Sequence, residues 1–105
     1  MQEITAFSLK AKIEAREDIQ IIDIREDHEV AISSIGGTHI PMGEILSRTN
    51  ELRTDCMVVI HCRSGKRSAA VIHLLEQRFE LKNLYNLSGG ILAWAESIDP
   101  KMEKY

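Results

Sequence analysis

The chain has 105 residues, 44% apolar and 28% charged, with a net charge of −3. That composition suits a globular chain of one-domain size and excludes disordered, fibrous and basic nucleic-acid-binding classes. No apolar run nears the roughly 20 residues of a membrane span, and Met1-Gln2-Glu3-Ile4 lacks the basic start of a secretory leader, so cytoplasmic, reducing surroundings are expected.

Ala6, Leu9 and Ile13 recur at helical spacing and predict a short amphipathic helix over 6–15. Ile19-Gln-Ile-Ile-Asp-Ile24 is a β-branched run that reads as a strand buried on both faces. Residues 26–33 suit one or two helical turns, which Gly36-Gly37 stops. Thr38-His39-Ile40 is at most a short strand before Pro41, and Ile45, Thr49 and Leu52 form a helical stripe across 43–53. Met57 to His61 is an apolar strand, followed by a helix from near Arg67 that buries Val71, Leu74, Leu75 and Phe79. Residues 83–87 read as a strand. Gly89-Gly90 turns the chain into a last helix with Ile91, Trp94, Ala95 and Ile98 inward, ended by Pro100. Strands alternating with helices predict an α/β fold, a mainly parallel sheet covered on both faces. Ligands of such sheets bind beyond the carboxyl ends of the strands.

Cys62 falls at such an end. It opens Cys62-Arg63-Ser64-Gly65-Lys66-Arg67-Ser68, a loop with three cations that leads into a helix. Helix-start amides and the charges of Arg63, Lys66 and Arg67 both favour a thiolate, so the Cys62 pKa is expected to be lowered. Gly65 lets the loop curl so that successive amides converge. Ser64 and Ser68 add donors, although Ser68 alternatively serves only the first helical turn. Arg67 is five positions after Cys62, a Cys-x4-Arg spacing one residue short of the Cys-x5-Arg cradle used on phosphate esters. No acidic residue lies near the loop in sequence to protonate a leaving alcohol. Attack on a sulfane sulfur needs no such acid, only a thiolate and a site that stabilises a persulfide anion.

Cys56 is the other cysteine. A strand over 57–61 would separate the pair by roughly 20 Å, beyond the about 7 Å that a disulfide spans. His28, His39, His61 and His73 show no zinc-like spacing with the cysteines, and no metal is expected. His61 should point to the face opposite Cys62.

The motifs together carry a resemblance. Ile22-Asp23-Ile24-Arg25-Glu26, Ile35-Gly-Gly-Thr-His-Ile-Pro41, the Cys62 loop, and Leu87-Ser-Gly-Gly-Ile91 with Trp94 occur in the order found in rhodaneses and span nearly all of 4–98. The chain resembles a single rhodanese-like domain over 1–105. The resemblance implies a five-stranded, mainly parallel sheet, no cofactor, a persulfide on Cys62, and a cradle formed by the amides of 63–67. It also implies supporting roles for Asp23 and Arg25. Asp23 is expected to face the loop and pair with a group such as Arg67, or else to cap the helix near Glu26. Arg25 alternatively pairs with Glu29 on the surface. His39 is expected to pack or to orient the loop, rather than to act as a base, and Trp94 to pack in the core. Gly-Thr-His-Ile-Pro-Met is similar to rhodanese modules of molybdopterin and thiamine adenylyltransferases. The implied activity is sulfur transfer from thiosulfate or a persulfide donor protein, with a Gly-Gly-ended sulfur-carrier protein among the acceptors. A non-catalytic docking module and, less favourably, a cysteine phosphatase are the alternatives. The segment Gln77-Arg78-Phe79-Glu80 departs from the family by lacking a glycine before its aromatic residue.

Overall fold

A computed structural model describes residues 1–105. In chain order the elements are β1 (Glu3–Ile4), α1 (Ala6–Glu14), β2 (Ile19–Asp23), α2 (Asp27–Ile32) and β3 (Thr38–His39). Two 3-10 segments follow, Met42–Ser47 and Thr49–Glu51, then β4 (Met57–His61), α3 (Lys66–Phe79), β5 (Leu84–Leu87) and α4 (Gly90–Ser97). The sheet order is β1-β5-β4-β2-β3, and every pairing is parallel. β4 is central, with Ile60 opposite Ile22 on one side and Asn86 on the other.

The period-2 alternation of β4 assigns its side chains to two cores. Val58, Ile60 and Cys62 pack with Val71, Ile72 and Leu75 of α3 and with Ile45 and Leu52 of the 3-10 segments. Val59 packs on the other face with Leu9 of α1 and Trp94 of α4. Each fully buried isoleucine or leucine contributes about 2 kcal/mol from apolar area alone. The expected α/β architecture is present, and Trp94 is a core residue.

Several local expectations differ. β1 is an additional strand, only two residues long and therefore too short for a periodic signal. The 43–53 stripe buries Ile45 and Leu52 but winds as 3-10 helix. Ile13 is 38% exposed because α1 buries only Ala6 and Leu9. Phe79, expected inside, is 43% exposed. A helix of α3's length spans about 21 Å while a five-residue strand spans about 17 Å, so its last turn overhangs the sheet. There Glu80 takes the left-handed conformation at φ +54° and turns the chain back without a glycine.

Candidate active site

β4 delivers Cys62 to the carboxyl edge of the sheet. The carbonyl of Cys62 accepts from the Ile91 amide at 2.9 Å and that of Arg63 from the Leu92 amide at 3.1 Å. The first turn of α4 thus anchors the start of the loop. This approach requires Gly90, at φ +61°, because a Cβ there would run into the Cys62 and Arg63 carbonyls. The chain then reverses at Gly65, φ +100°, and enters α3.

The reversal turns amides inward. Gly65 N donates to Cys62 Sγ at 3.1 Å and Ser68 N at 3.4 Å, while Ser68 Oγ lies 3.4 Å from the sulfur. Burial alone would push the Cys62 thiol up. The Ser68 hydroxyl and the amides of Ser68, Gly65 and Ser64 outweigh it and hold the thiol below its ordinary value. The expected direction is correct; of its two expected causes the loop amides are among the leading ones, joined by the Ser68 hydroxyl, and the loop cations are not. Arg63 and Lys66 are exposed to solvent, where their charges are screened. Cys62 itself is 0% exposed. The largest surface depression, about 550 Å³, lies elsewhere, lined by Gln2, Glu76, Glu80, Leu81 and Lys82. Both cysteines are free thiols.

Arg67 does not reach Asp23. Its two terminal nitrogens donate to the two Glu29 carboxylate oxygens, each at 2.8 Å. This bidentate pair holds the Glu29 carboxyl down to about 2, and burial opposes it. Glu29 Oε1 also accepts from Glu26 N at 3.0 Å, closing a capping box at the start of α2. Asp23 therefore does not cap that helix.

Asp23 grips Arg25 instead. Arg25 Nε and Nη2 donate to the carboxylate at 3.0 and 2.7 Å, and the Arg25 amide adds a bond at 3.0 Å. Burial raises the Asp23 carboxyl, but the Arg25 guanidinium more than compensates and leaves it below the ordinary value. Arg25 is fully buried rather than paired on the surface, and it touches Glu29 only through that residue's carbonyl, at 3.3 Å. Its Nη2 also donates to Ser33 O at 2.6 Å, tying down the end of α2. Asp23 and Arg25 thus reach the loop indirectly, through α2 and then the Glu29–Arg67 pair. His39 Nε2 donates to Arg25 O at 2.6 Å, a contact that fixes the segment around Arg25 rather than the Cys62 loop. His61 is buried, 3.9 Å from Asp23 and without a hydrogen-bond partner. Burial pushes it down to about 4.

Sequence reasoning missed two residues at the site and gave a third, Glu29, to the wrong arginine. Glu29 is the partner of Arg67. Asn86, buried on β5, donates to Gly65 O at 3.1 Å and accepts from Ser68 Oγ at 2.5 Å. Tyr105 lies beside Arg63, 5.8 Å from ring centroid to guanidinium carbon, and its carbonyl accepts from Arg25 at 3.1 Å. An amide unlike its apolar neighbours in 84–87 was the available signal for Asn86. Tyr105 gave none.

Comparison with known proteins agrees with this geometry. The family model of the rhodanese-like domain matches residues 5–97. YtwF of Bacillus subtilis is 43% identical over 103 residues, covering 96% of this chain and 97% of its own. A sulfurtransferase of Allochromatium vinosum is 39% identical over 97 residues, covering 90% of this chain and 89% of its own. The crystal structure of a rhodanese-like domain protein from Staphylococcus aureus superposes with a TM-score of 0.83 at 32% identity, covering 100% of this chain and 99% of that one. The chain belongs to the rhodanese-like domain family.

Proposed function

We propose that this chain is a sulfurtransferase in which Cys62 carries the sulfur in transit, and that residues 1–105 act as one domain. The reading rests on one observation above the others: a buried thiol that accepts amide hydrogen bonds from Gly65 and Ser68 at the start of α3. The Cys62 thiolate attacks the outer sulfur of thiosulfate. The sulfur–sulfur bond of thiosulfate breaks, sulfite leaves with the bonding pair, and Cys62 becomes a persulfide anion. Amides of residues 63–67 hold that anion, with the side chains of Ser64 and Ser68 beside them. A thiolate or cyanide acceptor then attacks the outer sulfur and releases the Cys62 thiolate. A persulfide donor protein can replace thiosulfate in the first step, its thiolate leaving in place of sulfite. A Gly-Gly-ended carrier is an acceptor of another kind: the Cys62 persulfide attacks its activated terminal carboxyl, the activating group leaves, and a further thiolate attacks Cys62 Sγ to release the thiocarboxylate. Arg63 and Lys66, exposed next to the loop, supply attraction for an anionic donor. Arg67, Asp23 and Arg25 brace the cradle through α2. Cys62 is buried, so the loop yields by local motion when a donor arrives.

Two-substrate kinetics with thiosulfate and cyanide test the reading. Parallel double-reciprocal lines are expected, with activity abolished in Cys62→Ala. A Cys62→Ala protein that retains activity overturns it. The burial of Cys62 favours one second reading, a docking module. That reading gains if the unmodified protein transfers no sulfur from any donor yet captures a partner equally well as Cys62→Ser. The phosphatase reading is weakened further by Arg67, whose fork is occupied by Glu29 rather than free for phosphate.

A further inference from the structure

One proton has three acceptors behind the Cys62 sulfur. Ser68 Oγ lies 2.5 Å from Asn86 Oδ1, 3.2 Å from Gly65 O and 3.4 Å from Cys62 Sγ. A hydroxyl donates once. The Asn86 amide is oriented by Gly65, whose carbonyl only accepts, so the atom facing it at 3.1 Å is Nδ2 and Oδ1 faces Ser68. Two oxygens that close require a proton between them, and only Ser68 has one. Cys62 and Ser68 are 0% exposed and Asn86 4%, so bulk water does not relieve the competition.

We propose that Asn86 is a positioning residue that competes with the Cys62 sulfur for the Ser68 proton. The hydroxyl turns to the sulfur when Cys62 is a thiolate and back to Asn86 when a second sulfur caps it. The second half rests on the sulfur-carrier reading above. In the neutral thiol the chain is complete: the S–H donates to Ser68 Oγ, which donates to Asn86 Oδ1. Loss of the thiol proton leaves a full charge on Sγ, and Ser68 rotates to meet it. Asn86 Oδ1 is then buried without a donor, a cost that opposes the thiolate. Formation of the persulfide moves the charge to the outer sulfur. The inner sulfur becomes a weak acceptor, Ser68 returns to Asn86, and the cost is removed. The device therefore favours the loaded cysteine over the bare thiolate, and only a hydrogen bond changes place.

The pH dependence of iodoacetamide alkylation of Cys62 tests this without any sulfur transfer. Ser68→Ala removes a charge-assisted bond and should raise the alkylation midpoint by about one pKa unit. Asn86→Leu frees the Ser68 proton and should lower the midpoint by about half a unit or more. In a Ser68→Ala background, Asn86→Leu should change nothing. A rise in Asn86→Leu, or an equal change in both backgrounds, marks a merely structural role and overturns the proposal. Asn86→Ala repeats the comparison if leucine disturbs folding. In the unmodified protein, the side-chain amide NMR signals of Asn86 should titrate with the Cys62 midpoint, and signals flat through that range also overturn it. If Cys62 never takes up sulfur while this coupling is observed, the sulfur-carrier reading fails and the thiol–Ser68–Asn86 competition stands.

Discussion

Replacing Gly90 by alanine perturbs the loop from behind. The new Cβ would meet the carbonyls of Cys62 and Arg63, and φ +61° is a conformation alanine resists. The left-handed backbone costs about 1 kcal/mol. The clash is relieved only if the first turn of α4 withdraws. That forfeits the bonds from Ile91 N to Cys62 O at 2.9 Å and from Leu92 N to Arg63 O at 3.1 Å. At about 1 kcal/mol net for each bond, the total loss is about 3 kcal/mol, or a fall in melting temperature of roughly 15 °C. The released carbonyls would no longer hold the start of the loop, so the cradle amides lose their aim at Sγ. The Cys62 pKa should then rise toward that of a free thiol. Urea denaturation reads the first effect and alkylation against pH the second. An alanine variant with unchanged stability and an unchanged Cys62 midpoint would refute the claim that α4 shapes the cradle.

Truncating Arg25 to alanine strands the buried Asp23 carboxylate and should cost about 3–5 kcal/mol in chemical denaturation, with partial recovery when Asp23→Asn is added. Glu29 has a folded pKa of about 2, below its ordinary 4.5. The folded state therefore binds this proton less readily, and the stabilisation is complete above pH 4.5 and fades as the pH falls toward 2. Arg67 is one-third exposed, so solvent screening discounts the contribution to about 1 kcal/mol, which Glu29→Gln should remove from the acid limb of a stability–pH curve. His61 has a folded pKa of about 4 against an ordinary 6.5. The unfolded chain takes up the proton first, so stability falls as the pH drops from 6.5 to 4, by about 3 kcal/mol, and then levels. His61→Phe should flatten that interval in denaturation melts across the range.

What the sequence revealed and what it hid follow from range. The run Met57–His61, the cysteine after it and the helix start after that are contiguous, so the cradle was legible before any tertiary contact was known. Strand alternation likewise put His61 and Cys62 on opposite faces. Asp23 and Arg25, two apart, also share a face by that alternation, so their mutual grip is local and competes with any partner across the loop. The Arg67–Glu29 pair spans 38 positions and exists because β2 lies beside β4, which carries α2 toward α3. Asn86 reaches Ser68 because β5 flanks β4 on its other side. Neither adjacency is encoded within a local window. The loop cations were overvalued for a related reason: their number is visible in the chain, whereas their exposure, and the commitment of Arg67 to Glu29, are tertiary facts.

The central claim is that Cys62 carries sulfur, and a single-turnover mass measurement tests it most directly. Intact protein incubated with thiosulfate or a persulfide donor, then freed of excess reagent, should gain one sulfur atom, located on the Cys62 peptide. Addition of cyanide or a thiol should return the original mass, and Cys62→Ser should show neither change. A protein whose mass stays constant with every donor, or whose added sulfur maps to Cys56, would contradict the account.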